Sequence, residues 1–360
     1  MEMGKQTGSY CVRVPKRLGE KTIKLLSKLN LLNKDLKILS LGDYLLIPLT
    51  ERLSNGILND LIKQIDGLEI SFHEFPIRIK EPKTIADYLE DKLPPHLLAS
   101  LPRSIDFIGD IAIIEIPEEL EAHKHLIGVA ILRVYKRVRS VLAKSSSVSG
   151  VYRLRDYEVI AGSDDTETVH KEHGCKYFLD PRRVYFSPRL SYEHYRIASQ
   201  VQEGETVVDM FAGVGPFSIL IAKMRSNIRV YAIDINPDAI KYLERNIHAN
   251  GVYGKVIPIL GDAKEAIEIK LRKVADRVIM NLPERALEYI DAVCIALKPS
   301  GGIIHYYRFV EAPYAVEKAR GSLINGVTRA GRKVETILAE RIVREVAPYK
   351  WQIAIDARIQ

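Results

Sequence analysis

From Ser191 to the C-terminus, short apolar runs alternate with stretches in which apolar positions recur every three or four residues: "ETVVDMF", "FSILIAKM", "RVYAIDI", "PDAIKYLERNIHAN", "VIPIL", "DRVIMNL", "ALEYIDAVCIAL", "GGIIHYY" and "KWQIAIDARI". Apolar strands separated by helical periodicity are the rhythm of a doubly wound parallel sheet, so an α/β fold is predicted for this half. Residues 1 to about 75 mix apolar runs ("KILSLGDYLLIPL") with helical ones ("EKTIKLLSKLNLL", "NGILNDLIKQI"), which predicts a small α/β or α+β module. Between Phe75 and Leu98 the charge density is high, and Pro76, Pro82, Pro94 and Pro95 interrupt regular structure, the pattern of a linker enclosing a short helix. A second module opens with the strand-like "SIDFIGDIAIIEIP" and continues through the helical "HLIGVAILRVYKRVRSVLAK" and the serine-rich "SSSVSG". It ends in "VYRLRDYEVIAG" and "ETVHKEHGCKYFLDPRRVYFSPRL", whose β-branched and aromatic residues, broken by Gly and Pro, read as short strands. Three parts are expected: 1–80, 81–190 and 191–360.

Composition narrows the class. The 360 residues are 47% hydrophobic and 28% charged, enough for packed cores in two or three domains. No run approaches the roughly 18 apolar residues of a membrane span. The N-terminal "MEMGKQTGSYCVRVPKRLGEK" has no apolar core or small-residue cleavage site, so a cytoplasmic, soluble protein is expected. Cys11, Cys175 and Cys294 are far apart and outside any C-x-x-C spacing, which argues against a disulfide framework or a structural zinc site; no metal is expected. The formal charge of +7 is compatible with a polyanionic partner but modest for this length.

The candidate chemistry sits at strand ends. In a doubly wound sheet, ligands lie beyond the carboxyl ends of the strands, near the first βα turn. Here Asp209, Asp234 and Asp262 end three successive predicted strands, and Asp234 follows Asp209 by about 25 residues, close to the spacing at which an acid meets a ribose. The turn Gly213-Val-Gly215-Pro-Phe-Ser218 lacks the third glycine of a dinucleotide fingerprint, and Asp209 before it is an unfavourable neighbour for a pyrophosphate. A cofactor with an amino-acid cation and a sulfonium tolerates that acid. S-adenosylmethionine therefore fits the pattern better than NAD, with Asp234 on the ribose hydroxyls and Asp262 on the adenine amino group. After the fourth strand comes Asn281-Leu282-Pro283, where an Asn side chain could orient a planar base; an ordinary strand-ending turn has the same composition.

Taken together, "VYRLRDYEVIAG", "HKEHG", "RRVYFSPRLSYEHYRIA", "VVDMFAGVGPFSI", "YAIDINPDAI", "GD", "VIMNLP" and "GGIIHYY" resemble the archaeal and eukaryotic tRNA methyltransferases that modify N1 of guanosine 37, next to the anticodon. The resemblance runs from about Ser104 to the C-terminus. It implies a Rossmann-like S-adenosylmethionine-dependent methyltransferase domain behind two smaller α+β modules, the first with the size of the family's tRNA-recognition domain. It also implies Glu193 as general base and Arg153 as the cation at guanine O6, beside Asn281. Those roles suit a reaction in which N1 loses a proton while charge builds on O6. Arg155 is an equal chemical candidate for the cation, and Glu193, near the start of a helix, also suits the helix dipole.

The candidate cofactor residues are Tyr185, His194, Asp209, Phe211, Gly213, Gly215, Asp234, Ile235, Asp262, Ala263, Asn281 and Pro283. His194 stands where the resembling proteins often carry arginine. His305, Tyr306 and Tyr307 read as core packing. Arg137, Arg139, Arg182, Arg183 and Arg189 are candidate RNA contacts, although a charge run is usually a solvated face. A monomer acting on tRNA is expected. The alternatives are a wyosine-pathway or dual-specificity enzyme at the same nucleoside, or a non-catalytic RNA-binding protein.

Overall fold

The computed structural model describes residues 6–78, 82–146 and 150–360. Part of the serine-rich connection, 147–149, lies outside them, as do 1–5 and 79–81 within the expected linker. The chain divides into two compact units, Met1–Lys83 and Thr84–Gln360.

In the first unit, strands β1 (Gln6–Pro15), β2 (Leu39–Leu41), β3 (Tyr44–Pro48) and β4 (Glu69–Pro76) form an antiparallel sheet in the order β2-β3-β1-β4. Helices α1 (Gly19–Lys28) and α2 (Asn55–Gln64) supply Leu26 and Leu61 to a core that also holds Val12, Val14 and Ile47.

The second unit opens with α3 (Ile85–Leu89) and α4 (Pro95–Ala99), followed by a sheet ordered β5 (Ile105–Ile108), β6 (Ile111–Ile114), β7 (Ser140–Lys144) and β8 (Tyr157–Gly162). Helix α5 (Lys124–Val134) crosses from β6 to the parallel β7. The expected linker is shortened here. Pro76 ends β4, the boundary between the two units falls inside the segment, Pro94 and Pro95 start α4, and Leu89 and Leu93 are buried in one core with Ile127, Ile131 and Val141. A hairpin of β9 (Thr168–Glu172) and β10 (Cys175–Leu179) leads into α6 (Ser191–Gln200).

The remaining elements are β11 (Thr206–Asp209), α7 (Pro216–Met224), β12 (Arg229–Asp234), α8 (Pro237–Asn250), β13 (Val256–Leu260), α9 (Ala263–Lys270), β14 (Arg277–Met280), α10 (Ile290–Ala296), β15 (Gly302–Glu311), α11 (Ala315–Arg329), β16 (Val334–Ala347) and β17 (Lys350–Ile359). They build a seven-stranded sheet in the order β13-β12-β11-β14-β15-β17-β16, parallel up to β15 and closed by an antiparallel hairpin. Val207 and Val208 point into cores on opposite faces, which explains why β11 is apolar without alternation. Since β11 is flanked by β12 on one side and β14 on the other, the order reverses there, and a crevice forms beyond its carboxyl end.

Candidate active site

That crevice is a cavity whose wall carries residues from each of the first four strand ends of the large sheet. After β11 the chain turns through Gly213, at φ +55°, and Gly215, at φ +90°, into Pro216 at the start of α7. A Cβ on Gly215 would sit 2.5 Å from Leu243 Cδ1, so this glycine serves the turn and its packing, and it does not line the cavity. Gly213 does line it, and its N–H donates to Asp234 Oδ2 at 2.7 Å, while Asn236 N–H donates to Asp234 Oδ1 at 2.9 Å. Burial raises the Asp234 carboxyl above its ordinary value against the backbone N–H groups that pull it down. Asp262 caps α9, accepting from the N–H of Lys264 at 2.8 Å, and Ala263 follows it along the wall. Phe211 meets Tyr289 edge to face at 4.9 Å between ring centroids.

Of the residues expected at the cofactor, Tyr185, His194, Phe211, Gly213, Asp234, Ile235, Asp262, Ala263 and Asn281 line this cavity. Asp209 and Pro283 do not. Asp209 is fully buried behind the turn and accepts from the Ser218 hydroxyl at 2.7 Å, and Pro283 instead accepts the Phe309 N–H with its carbonyl at 3.0 Å. Burial pushes Asp209 up to about 7, with the charge of Asp234 adding to the effect and the Ser218 bond opposing it. The sequence could not tell an acid facing the ligand from one facing the turn. It also missed Glu284, Arg285 and Tyr289, which follow the Asn281-Leu282-Pro283 turn and carry no signal of their own in the sequence.

Arg153 reaches the cavity from the turn before β8. Its backbone is left-handed at φ +55°, its guanidinium lies 4.8 Å from the Tyr185 ring centroid, and it pairs with Glu284 at 3.4 Å. Arg155 does not line this cavity, which separates the two candidates for the cation. Asn281 Oδ1 lies 3.5 Å from Gln352 Nε2.

Glu193 is placed differently from its neighbours. It is 1% exposed and lies behind the cavity wall that the next residue, His194, helps to form. Its Oε2 accepts from the Tyr307 hydroxyl at 2.7 Å and from Arg196 Nε at 3.0 Å, and Arg341 Nη1 lies 3.2 Å from its Oε1. Arg196 also grips Asp356, which bonds His305 Nδ1 at 2.7 Å, and His305 Nε2 faces Arg277 Nη1 at 2.8 Å. An arginine can only donate, so these partners assign His305 as the neutral tautomer with its proton on Nδ1. Burial, joined by the charges of Arg277 and Arg196, holds the His305 value down against the Asp356 hydrogen bond. Burial acts to raise Asp356 too, but hydrogen bonds from His305 and Arg196 hold it well below the carboxylate range. His305 and Tyr307 are thus core residues, as read from the sequence, that also carry this polar chain. His194 bonds Glu172 at 2.7 Å, and hydrogen bonds from His170 and His194 outweigh burial to hold Glu172 at about 2.

Three of the five expected RNA-contacting arginines pair with carboxylates within the fold. Arg139 binds Asp110 at 3.0 Å and the carbonyls of Asp165 and Glu167, and Arg189 grips Asp106 at 2.6 and 3.0 Å. Arg183, exposed, lies 3.7 Å from Asp180, and Arg137 and Arg182 are exposed as well.

The cavity residues suit S-adenosylmethionine. Each oxygen of Asp234 accepts one backbone N–H and keeps a lone pair for ribose hydroxyls, and Asp262 offers further acceptors. The two arginines in the wall are each met by a carboxylate, Arg153 by Glu284 and Arg285 by Glu288, so the Gly213 turn presents acids without competing free cations. No helix among the described residues is long and apolar enough to cross a membrane.

Comparison with known proteins agrees with this reading. Residues 168–335 match the TRM5/TYW2 methyltransferase domain, 85–166 the TYW2 N-terminal domain and 11–57 the tRNA methyltransferase 5 N-terminal domain. The chain is 44% identical to the tRNA (guanine(37)-N(1))-methyltransferase Trm5b of Pyrococcus abyssi, covering 98% of this chain and 99% of that one. It is 40% identical to the tRNA 4-demethylwyosine(37)-methyltransferase Taw21 of Saccharolobus solfataricus over 71% of this chain and 94% of that protein. A structure described as the complex of aTrm5 and tRNALeu superimposes with a TM-score of 0.79 at 35% identity, covering 97% of this chain and 99% of that one. On these matches, the chain belongs to the TRM5/TYW2 family of methyltransferases.

Proposed function

We propose that this protein methylates N1 of guanosine 37 in tRNA, using S-adenosylmethionine. One observation carries the reading: a single cavity joins Asp234 and Asp262, suited to the cofactor, with Asn281 and Arg153, suited to a guanine. The near full-length identity to a guanosine-37 methyltransferase supports it. When bound, the cofactor supplies an electrophilic methyl group on a sulfonium. Asn281 orients the base, and the Arg153 guanidinium stabilises negative charge on O6 as N1 is deprotonated. Glu193, buried behind the wall that His194 forms, is the carboxylate proposed to take the N1 proton, which requires its side chain to reach the cavity when tRNA binds. Its Oε1 has an ion-pair contact with Arg341 but no aligned hydrogen bond, so that oxygen is the one with capacity for a proton.

The test is incubation of unmodified tRNA transcripts with labelled cofactor, followed by mass analysis of the nucleosides. N1-methylguanosine at position 37 is the expected product. A methylated tricyclic nucleoside formed only on precursor-bearing tRNA would place the chain with the 4-demethylwyosine methyltransferase it also resembles, and no transfer in a single turnover would leave an RNA-binding protein.

A further inference from the structure

A second cavity adjoins the first. Its volume is about 440 Å³, within the roughly 300–1,000 Å³ of ligand pockets, and Arg153, Tyr185, Phe186, Ser187 and Glu284 stand in the walls of both. One side comes from the β5–β8 sheet and the other from the ends of β15, β16 and β17. Six cations line it against four carboxylates.

Pairing inside the cavity shows which cations carry that excess. Arg189 holds Asp106 at 2.6 Å, Lys144 holds Glu115 at 3.3 Å, Arg153 holds Glu284 at 3.4 Å, and Glu345 accepts the Tyr349 N–H at 3.2 Å. Three cations remain with no carboxylate within ion-pair distance among the described residues: Arg155, Arg344 and Lys350. Arg344 donates only to neutral groups, Gln352 Oε1 at 2.9 Å and Ser187 Oγ at 3.3 Å. Lys350 lies 5.9 Å from the Phe309 ring centroid. Arg155 is the most exposed to this shortage, because its Nε is enclosed and makes no hydrogen bond. An enclosed guanidinium N–H without an acceptor is costly, and such groups are normally met by a water, an ion or a ligand. These three cations face one carboxylate, Glu345, whose bond to a backbone N–H leaves its charge in place, and the remaining excess of positive charge in a polar and aromatic cavity selects an oxyanion.

We propose that this cavity binds a phosphodiester of the RNA strand flanking the methylated nucleoside, with Arg155 as its main anchor and Arg344 and Lys350 beside it. The inference rests on the proposed function for the identity of the polyanion. The shared wall supplies the geometry: a base in the first cavity brings its own backbone to the second. Arg153 and Glu284 then face the base on one side while Arg155 takes the backbone on the other, so two arginines separated by one residue divide the work of reading and holding.

The experiment measures binding of an unmodified tRNA transcript to the full chain as a function of salt, for wild type, Arg155→Gln, Arg155→Lys and Lys350→Gln. Loss of one phosphate contact should weaken binding about tenfold or more in Arg155→Gln and make the dependence of log affinity on log salt shallower by about one counterion. Arg155→Lys should keep most of the slope. Lys350→Gln should reduce it as well, which gives a reading independent of how Arg155 packs. Calorimetry should find S-adenosylmethionine affinity unchanged in all of them, since none of these side chains lines the cofactor cavity. Wild-type affinity and slope in both Arg155→Gln and Lys350→Gln would overturn the phosphate site while leaving the methyltransferase reading intact. A wild-type protein that binds no tRNA would instead overturn the proposed function itself.

Discussion

Two groups of buried carboxylates on the same sheet behave in opposite ways. At the ends of β11 and β12, Asp209 and Asp234 are surrounded by backbone N–H groups and a hydroxyl but no cation, and burial raises both. Where α6 meets β15 and β17, Asp356 is held low by His305 and Arg196, and Glu193 is contacted by two arginines and a phenol. Burial is common to both groups, so the partners decide the sign. The first arrangement keeps an acidic, cation-free turn for a cationic cofactor. The second fixes a carboxylate beside the cavity wall through a chain that reaches Arg277 and Glu205.

Breaking the second group should cost most. Arg196→Met keeps length and volume but leaves Asp356 and Glu193 short of a partner, so unfolding in urea should show a loss of about 3–5 kcal/mol at neutral pH. A loss below about 1 kcal/mol would mean that His305 and Arg341 alone satisfy the two acids.

The first group is tested through pH. Asp209 has a folded-state value of about 7 against an ordinary 3.8, so the folded protein holds a proton that the unfolded chain releases across that interval. The associated stability is fully present below pH about 4 and is lost as pH rises towards 7, by up to about 4 kcal/mol. Asp209→Asn can still accept from Ser218 but cannot ionise. Its stability should therefore lack that decline and exceed wild type above pH 7, as urea titrations at a series of pH values would report. Parallel pH curves for the two proteins would mean that Asp209 keeps an ordinary value.

Kinetics gives the third break. Glu193→Gln retains the shape and an acceptor for Tyr307 but cannot take a proton, so single-turnover methyl transfer should slow by about 10²-fold while tRNA and cofactor affinities change little. An unchanged rate would confine Glu193 to the ion-pair chain.

How much of this could be read from sequence follows from distance along the chain. The alternating runs after Ser191 disclosed the parallel sheet because each strand and its crossover helix are local patterns. Asp234 and Asp262 were legible for the same reason, since a strand end is visible in a ten-residue window. Asp209 shares that signal, yet its rotamer turns it towards Ser218, which no spacing records. The partners of Glu193 were hidden because Tyr307 and Arg341 lie more than 110 residues away and join it through β15 and β16, parallel and antiparallel additions whose register is a tertiary result. Prolines between Phe75 and Leu98 marked the boundary between the two units but overstated its length, because burial of Leu89 and Leu93 ties the later part to the second unit. Arg139 looked like a free cation because Asp110 and the 165–167 carbonyls reach it only in the folded sheet.

The left-handed backbone at Arg153 has a consequence for how this protein can evolve. A non-glycine side chain at φ +55° carries a conformational penalty of about 1 kcal/mol or more, which a glycine would relieve. Selection for heat resistance alone would therefore favour losing the arginine, and, with Arg153 in the role proposed for it, selection for turnover would favour keeping it. Position 153 is a place where the two pressures oppose each other, so a library screened only for thermal survival should lose its methylating members there first.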